Sequence, residues 1–206
     1  MSRCLIIGNG PSLSTIPLEF LNKYPSIGSN RIYLLNGIRL KYYVAVNSLV
    51  VQQFHRDINS QVECPKFIST YSAKWIHNCT KLYPTHEKIF SDKALKVVYE
   101  GHNVTYVALQ LMYTFGYTEL GLIGVDHYYQ YTGAPDEERF AGIGDPNHFS
   151  PEYFSGVKWH NPNLEASEEA YQLAENFTKK NGRKIVNLTP GTHLDIFEKV
   201  PWQDWA

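Results

Sequence analysis

Cysteine is scarce in this chain: Cys4, Cys64 and Cys79 are the only three in 206 residues, and no two form a Cys-x-x-Cys pair. That excludes a disulfide framework or a zinc knuckle as the organising device and fits a reducing, cytoplasmic setting. An excess of one charge is missing too, since 19 Lys and Arg face 20 Asp and Glu for a formal charge of −1. Without a basic surplus there is no broad field to attract a duplex, so nucleic acid is not an expected partner. Long apolar runs are also absent. The opening "CLIIG" is too short for a signal-peptide core, and nothing approaches the roughly 20 apolar residues of a membrane span, so a soluble protein without a transmembrane segment is expected. No H-x-H, H-E-x-x-H or D-x-D cluster occurs, which makes a metal-independent reaction without a bound cofactor the expectation. Ser48, Ser150 and Cys4 lack any G-x-S-x-G elbow around them.

What is present is an ordinary globular composition, 43% hydrophobic and 19% charged, in a length that suits one domain. Aromatics reach 14%, with 15 Tyr, many of them close to His, Asn and Gly in the second half. Such rings suit a pocket for planar or sugar ligands, and equally a half-buried surface.

Residues 3–8 read as a continuously apolar strand, the kind buried inside a parallel sheet. Pro11 fits the first turn of a following helix. Further strands are expected near "PSIGSNR", "KYYVAVN", "PKFIST", "ELGLIGVD" and "RKIVNLT". Helices are expected over "SLVVQQFHRDI", over "NVTYVALQLMYTFG" with Val104, Val107, Ala108, Leu111, Met112 and Phe115 on one face, and after Asn163 with Ala166, Ala170, Leu173, Ala174 and Phe177 on one face. Gly116 and Gly182 are the expected C-terminal caps. The stretch from Ser72 to Glu100 shows no clear period, and "LDIFEKVPWQDW" reads as a tail docking on the body. This order implies an α/β, Rossmann-like, doubly wound and mostly parallel sheet flanked by helices, forming a single domain over residues 1–206. Residues 127–162, rich in Gly, Pro, His, Tyr and Asp, form a lid or binding loop within it.

In such folds the ligand sits beyond the carboxyl ends of the strands. Those ends carry Gly8, Asn9 and Gly10, then Asn30, Asn47 and Asp126. Asn can donate and accept, which suits a base, a ribose or a phosphate. The first turn lacks the third glycine of the dinucleotide fingerprint, having Leu13 there, and lacks a P-loop lysine. Its amides and the Ser12 hydroxyl could still meet a phosphate or carboxylate. Asp126 suits a ribose hydroxyl, a metal, a reacting proton or a turn cap. In "DPNHFSPEYFSGVKWH" the residues His148, Tyr153, Lys158 and His160 could fold over the crevice, His as a general base and Tyr or Lys beside a leaving phosphate.

"IIGNGPSL", "SNRIYLL", "YYVAVNSLV", "GYTELGLIGVDHYY" and the Tyr/His loop before a helix resemble the bacterial family 42 sialyltransferases, which use CMP-sialic acid. "GVDH", "DPNHFSPEYF" and "VNLTPGTHLDIFEKV" resemble more closely the domain of unknown function labelled 6-hydroxymethylpterin diphosphokinase MptE-like. The likeness spans nearly the whole chain. The sialyltransferase resemblance implies a Rossmann-like domain with a lid, no essential metal, and CMP held by Gly8, Asn9, Gly10, Asn30 and Asn47. It also implies lid tyrosines toward the phosphate and a His base before a helix, which favours His160, whereas the MptE-like pattern draws attention to His148. Where the sialyltransferases open a helix with Thr-Ser, this chain has "GHNVT", with Asn103 and Thr105 as substitutes. The acidic metal-binding motifs of the pterin kinases are replaced by "SNR" and "VNS".

The expected function is therefore transfer of a sugar, of sialic or nonulosonic acid type, from a CMP-activated donor to a surface glycan. Asn9, Asn30 and Asn47 would hold the nucleotide, Tyr153 and Lys158 would assist phosphate departure, and His148 or His160 would deprotonate the acceptor. The partners are a nucleotide-sugar donor and a glycan acceptor, and a homo-oligomer is compatible with the sequence. The competing readings are ATP-dependent pyrophosphoryl transfer, with Asp126 on magnesium, and a non-catalytic nucleotide- or glycan-binding module.

Overall fold

The structure is a computed structural model that describes residues 2–205. The chain runs β1 (Arg3–Ile7), a 3-10 turn at Pro11–Thr15, α1 (Leu18–Leu21), β2 (Ser26–Ser29), β3 (Tyr42–Ala45), α2 (Ser48–Gln61), β4 (Lys66–Ser69) and β5 (Cys79–Leu82). It continues through β6 (Pro84–Thr85), β7 (Val98–Tyr99), α3 (Val104–Thr114), β8 (Glu119–Ile123), β9 (Glu138–Phe140), β10 (Lys158–His160), α4 (Leu164–Lys180), β11 (Lys184–Asn187) and β12 (Glu198–Lys199).

Eight strands form one sheet in the order β12-β11-β8-β1-β2-β3-β4-β5. Every adjacent pair in it is parallel. β1 explains why the sheet has two buried faces. Cys4 and Ile6 face one apolar layer with α3 and α4, and Leu5 and Ile7 face the other with α1 and α2. All four are at most 1% exposed, so a period-2 strand with no polar member can live only in the middle of a three-layer sandwich. From β1 the chain winds outward through β2 to β5, then returns through α3 to place β8 on the other side of β1. The direction of winding reverses between β1 and β8, and in open α/β sheets the crevice beyond the strand ends at such a point is where ligands bind.

Three local features differ from the sequence expectation. Pro11 opens only a short 3-10 turn. Helix α3 is buried on every side rather than one, because the segment without clear period, 72–100, wraps its outer side with Phe90, Ala94 and Val98. Residues 127–162 contain an antiparallel ribbon, β9 paired with β10. Gly116 and Gly182 follow α3 and α4 with φ of +89° and +66°, the left-handed geometry that ends a helix. The tail docks through Trp205, whose indole Nε1 donates to Glu119 Oε1 at 2.8 Å.

Candidate functional site

The β1 and β8 turns meet so closely that Gly8 has no room for a side chain and one at Gly10 would displace Asp126. A Cβ on Gly8 would lie 2.4 Å from the Gly124 carbonyl oxygen, and one on Gly10 would lie 1.9 Å from Asp126 Oδ2. The amides of Gly8 and Gly10 donate to the carbonyls of Ile123 and Gly124, both at 2.8 Å. Asp126 accepts from the Ser12 amide at 3.1 Å and the Ser12 hydroxyl at 2.8 Å. Gly8, Gly10, Ser12 and Asp126 thus form a clasp between neighbouring strand ends.

Beyond the clasp a crevice opens between the strand ends and residues 127–162 as two adjoining hollows. The smaller, about 90 Å³, is bordered by Asn9, Asn30, Asp126, Thr105, His148 and Tyr153. The larger, about 390 Å³, is bordered by Asn30, Asn47, Glu100, Asn103, His148 and His160, with Trp159 and Asn161. Asn30, Val104, Tyr129 and His148 border both. Asn9 donates to Ser29, while its Oδ1 and that of Asn30 are buried without a hydrogen-bond partner among the described residues. Asn47 and Asn103 cap α2 and α3, so the positive ends of both helices face the larger hollow.

Asp145 and His148 form a dyad. His148 Nδ1 lies 2.8 Å from Asp145 Oδ2, with the Asp145 side chain 4% exposed and that of His148 11%. Burial would raise the Asp145 carboxyl, but His148 and the amides of Asn147 and Phe154 outweigh it and hold the group below its ordinary value. In the neutral ring a carboxylate on Nδ1 selects the tautomer with its proton there and leaves Nε2 as the acceptor of a residue that borders both hollows. His160 has the opposite arrangement. Asn47 Oδ1 caps the amides of Leu49 and Val50, so the network turns Asn47 Nδ2 toward His160 Nδ1, 3.2 Å away. Neutral His160 then carries its proton on Nε2 and is a donor.

The sequence candidates divide accordingly. Gly8, Asn9, Gly10, Asn30, Asp126, His148 and Tyr153 gather at the smaller hollow, and Asn47, Asn103 and His160 at the larger. Tyr153 is fully buried and its hydroxyl accepts from the Arg31 amide at 3.1 Å. The Lys158 ammonium stands apart, paired with Glu138 at 2.6 Å on a half-exposed side of the ribbon. Asp145, Glu100 and the His127–Glu168 pair, 3.0 Å apart, were not singled out by the sequence reading. The D-x-x-H spacing in "DPNH" is the one signal that pointed to Asp145. Among the described residues, no three His, Cys, Asp or Glu side chains group to hold a metal ion, and no helix is long and apolar enough to cross a membrane.

No family model matches the chain, and no curated protein does. Two solved structures share its fold. The MAf glycosyltransferase from Magnetospirillum magneticum AMB-1 superposes with a TM-score of 0.64 at 15% identity, over 98% of this chain and 34% of that one. The α-2,3/8-sialyltransferase CstII superposes with a TM-score of 0.56 at 17% identity, over 97% of this chain and 86% of that one. The chain thus spans about a third of the first protein's length. The doubly wound fold is that of these glycosyltransferases.

Proposed function

We propose that the chain is a glycosyltransferase that moves a sugar of the nonulosonic acid type from a CMP-linked donor to a hydroxyl of a glycan. The observation that carries this reading is the Asp145–His148 dyad, which holds the imidazole at the border of the crevice by the reversal between β1 and β8 with its Nδ1 against the carboxylate. The fold shared with two glycosyltransferases supports it.

In this reading His148 Nε2 takes the proton of the acceptor hydroxyl as that oxygen bonds to the anomeric carbon. The bond from that carbon to the phosphate oxygen breaks, and its electron pair leaves with the nucleotide. Asp145 stabilises the imidazolium that forms, a contribution of about 10²–10⁴-fold for a positioned base. Among the described residues neither hollow is bordered by Lys or Arg. The phosphate and the sugar carboxylate are then met by the N-terminal turn of α3, where Val104 borders both hollows, and by the His160 Nε2 proton.

The test is release of CMP from a panel of CMP-linked donors with glycan acceptors, in EDTA and in Mg²⁺, for the natural chain, His148→Ala and His160→Ala. Transfer abolished by His148→Ala and retained in part by His160→Ala is the expected result. AMP formation from ATP that depends on Mg²⁺ would replace the proposal with pyrophosphoryl transfer. Binding of nucleotide or glycan without turnover would replace it with a binding module.

A further inference from the structure

The larger hollow has an imbalance that the reaction itself does not explain. Three buried oxygens on its border, Asn30 Oδ1, Glu100 Oε1 and Asn161 Oδ1, have no hydrogen-bond partner among the described residues, and all three are acceptors. Asn161 is only 2% exposed, and its Nδ2 is held by the carbonyls of Thr132 and Ala134 at 2.8 and 2.9 Å. Its Oδ1 is therefore fixed in place rather than free to rotate toward water. The backbone that carries Glu100 is fixed as well. Its carbonyl accepts from the Asn103 amide at 3.1 Å, and the next residue, Gly101, has φ +56° and room for no Cβ, which would lie 2.6 Å from Ala170 Cβ. Burial raises the Glu100 carboxyl above its ordinary value, against the Ser69 hydroxyl and His86. A buried acceptor left unpaired is costly, so a ligand that fills this hollow must bring donors.

A phosphate brings only acceptors and does not answer that need. A nucleoside does, through the amino group of its base or the hydroxyls of its ribose, and Trp159 supplies a flat apolar wall. We infer that this hollow receives the nucleoside of the donor and that Glu100 is its specificity determinant, accepting a hydrogen bond from the base amino group or from a ribose hydroxyl. The inference rests on the nucleotide-donor reading above. A carboxylate at that point rejects a ligand that presents an acceptor there, as uracil O4 would, because two acceptors then face each other in a dry site.

The experiment is calorimetric titration of the full chain and of Glu100→Gln with CMP, UMP and 2′-deoxy-CMP. The natural chain should bind CMP about tenfold or more tighter than one of the other two. Glu100→Gln should bring that ratio to within about threefold, because Gln both donates and accepts. Collapse of the CMP-to-UMP ratio assigns the bond to the base amino group, and collapse of the CMP-to-deoxy-CMP ratio assigns it to the ribose. Equal binding of all three by the natural chain, or a preference that survives Glu100→Gln, overturns the role of Glu100 and leaves the donor reading standing. Absence of binding by any nucleotide overturns the donor reading and this inference with it. Glu100→Asp, which keeps the charge and shortens its reach, should weaken CMP while leaving unchanged whichever ligand lacks the bonded group, UMP or 2′-deoxy-CMP; equal effects on all three would also overturn the inference.

Discussion

The imidazole of His148 lies flat on the phenol ring of Tyr153, with centroids 3.9 Å apart and planes 1° from parallel. The stack, together with Asp145 at its edge, leaves the imidazole one orientation. Tyr153→Phe keeps the stack and removes only the hydroxyl that accepts from the Arg31 amide. The expected outcome in urea denaturation is a loss of about 1–3 kcal/mol from the unpaired amide, with kcat little changed. A fall in kcat of about 100-fold at unchanged stability would instead place the hydroxyl in the chemistry.

Asp145→Asn is expected to lower kcat by about 10²–10⁴-fold, because an amide no longer enforces the tautomer with Nε2 free. KM for the donor should move far less. Since the dyad acts as a unit, Asp145→Asn combined with His148→Ala should be hardly worse than His148→Ala alone. Steady-state CMP release by the three variants measures both quantities.

Glu100 and Asp145 have opposite linkage to pH. Asp145 is held below its ordinary 3.8, so it contributes stability above that value that is lost as pH falls through its lower folded-state pKa. Burial raises Glu100 above its ordinary 4.5, so its ionised form costs stability above the raised value, and the cost vanishes as pH falls below 4.5. Melting curves should therefore show Glu100→Gln more stable than the natural chain at about pH 7 and equal to it near pH 4. Asp145→Asn should be less stable at about pH 7, with the gap closing only at the most acid end. A stability gain on removing Glu100's charge is what a binding residue maintained at a cost produces.

Much of the frame was legible in the residues because burial on both faces leaves a continuous apolar run, as in Cys4 to Ile7, and because Asn163, Gly116 and Gly182 mark helix ends chemically. The one-sided reading of α3 failed for a physical reason. Its second face is covered by residues 83–99, whose short strands and turns carry no period of their own. The site was legible only as strand ends. Gly8, Asn9, Asn30, Asn47 and Asp126 follow from topology, whereas the partner of His148, the separation of Lys158 from the crevice and the exposure of Glu100 to it depend on how residues 127–162 fold back. No local pattern encodes that path.

The clasp beneath the site makes a strong coupling prediction. Gly10→Ala would push a methyl group into Asp126 Oδ2 and should cost about 1–3 kcal/mol. Asp126→Ala leaves the Ser12 amide without its partner and should cost about 1–3 kcal/mol. In the double variant the methyl group occupies space the carboxylate has left, so the combined loss should fall well short of the sum. Urea denaturation of the full cycle measures the coupling, and strict additivity would show that the turns separate rather than clash.

Arg31 ties residues 152 and 153 to the end of β2. Its guanidinium sits 4.0 Å from the Phe54 ring centroid and donates to the carbonyls of Glu152, at 2.9 Å, and of Tyr153. Its backbone amide meets the Tyr153 hydroxyl. Arg31→Ala removes the Nη1 bonds to both carbonyls and the face over Phe54 but leaves the amide and the His148 stack, so the segment should loosen rather than leave. Hydrogen exchange over residues 149–157 should quicken by about tenfold or more. A looser segment admits water to a site whose base is still aimed, so hydrolysis of the donor in the absence of acceptor should rise relative to transfer. Arg31→Lys, which keeps the charge and one nitrogen for the two carbonyls but loses the planar face over Phe54, should fall between alanine and arginine in both measurements. If exchange quickens while the hydrolysis-to-transfer ratio stays fixed, the segment 149–157 is a scaffold for His148 and not a barrier to water.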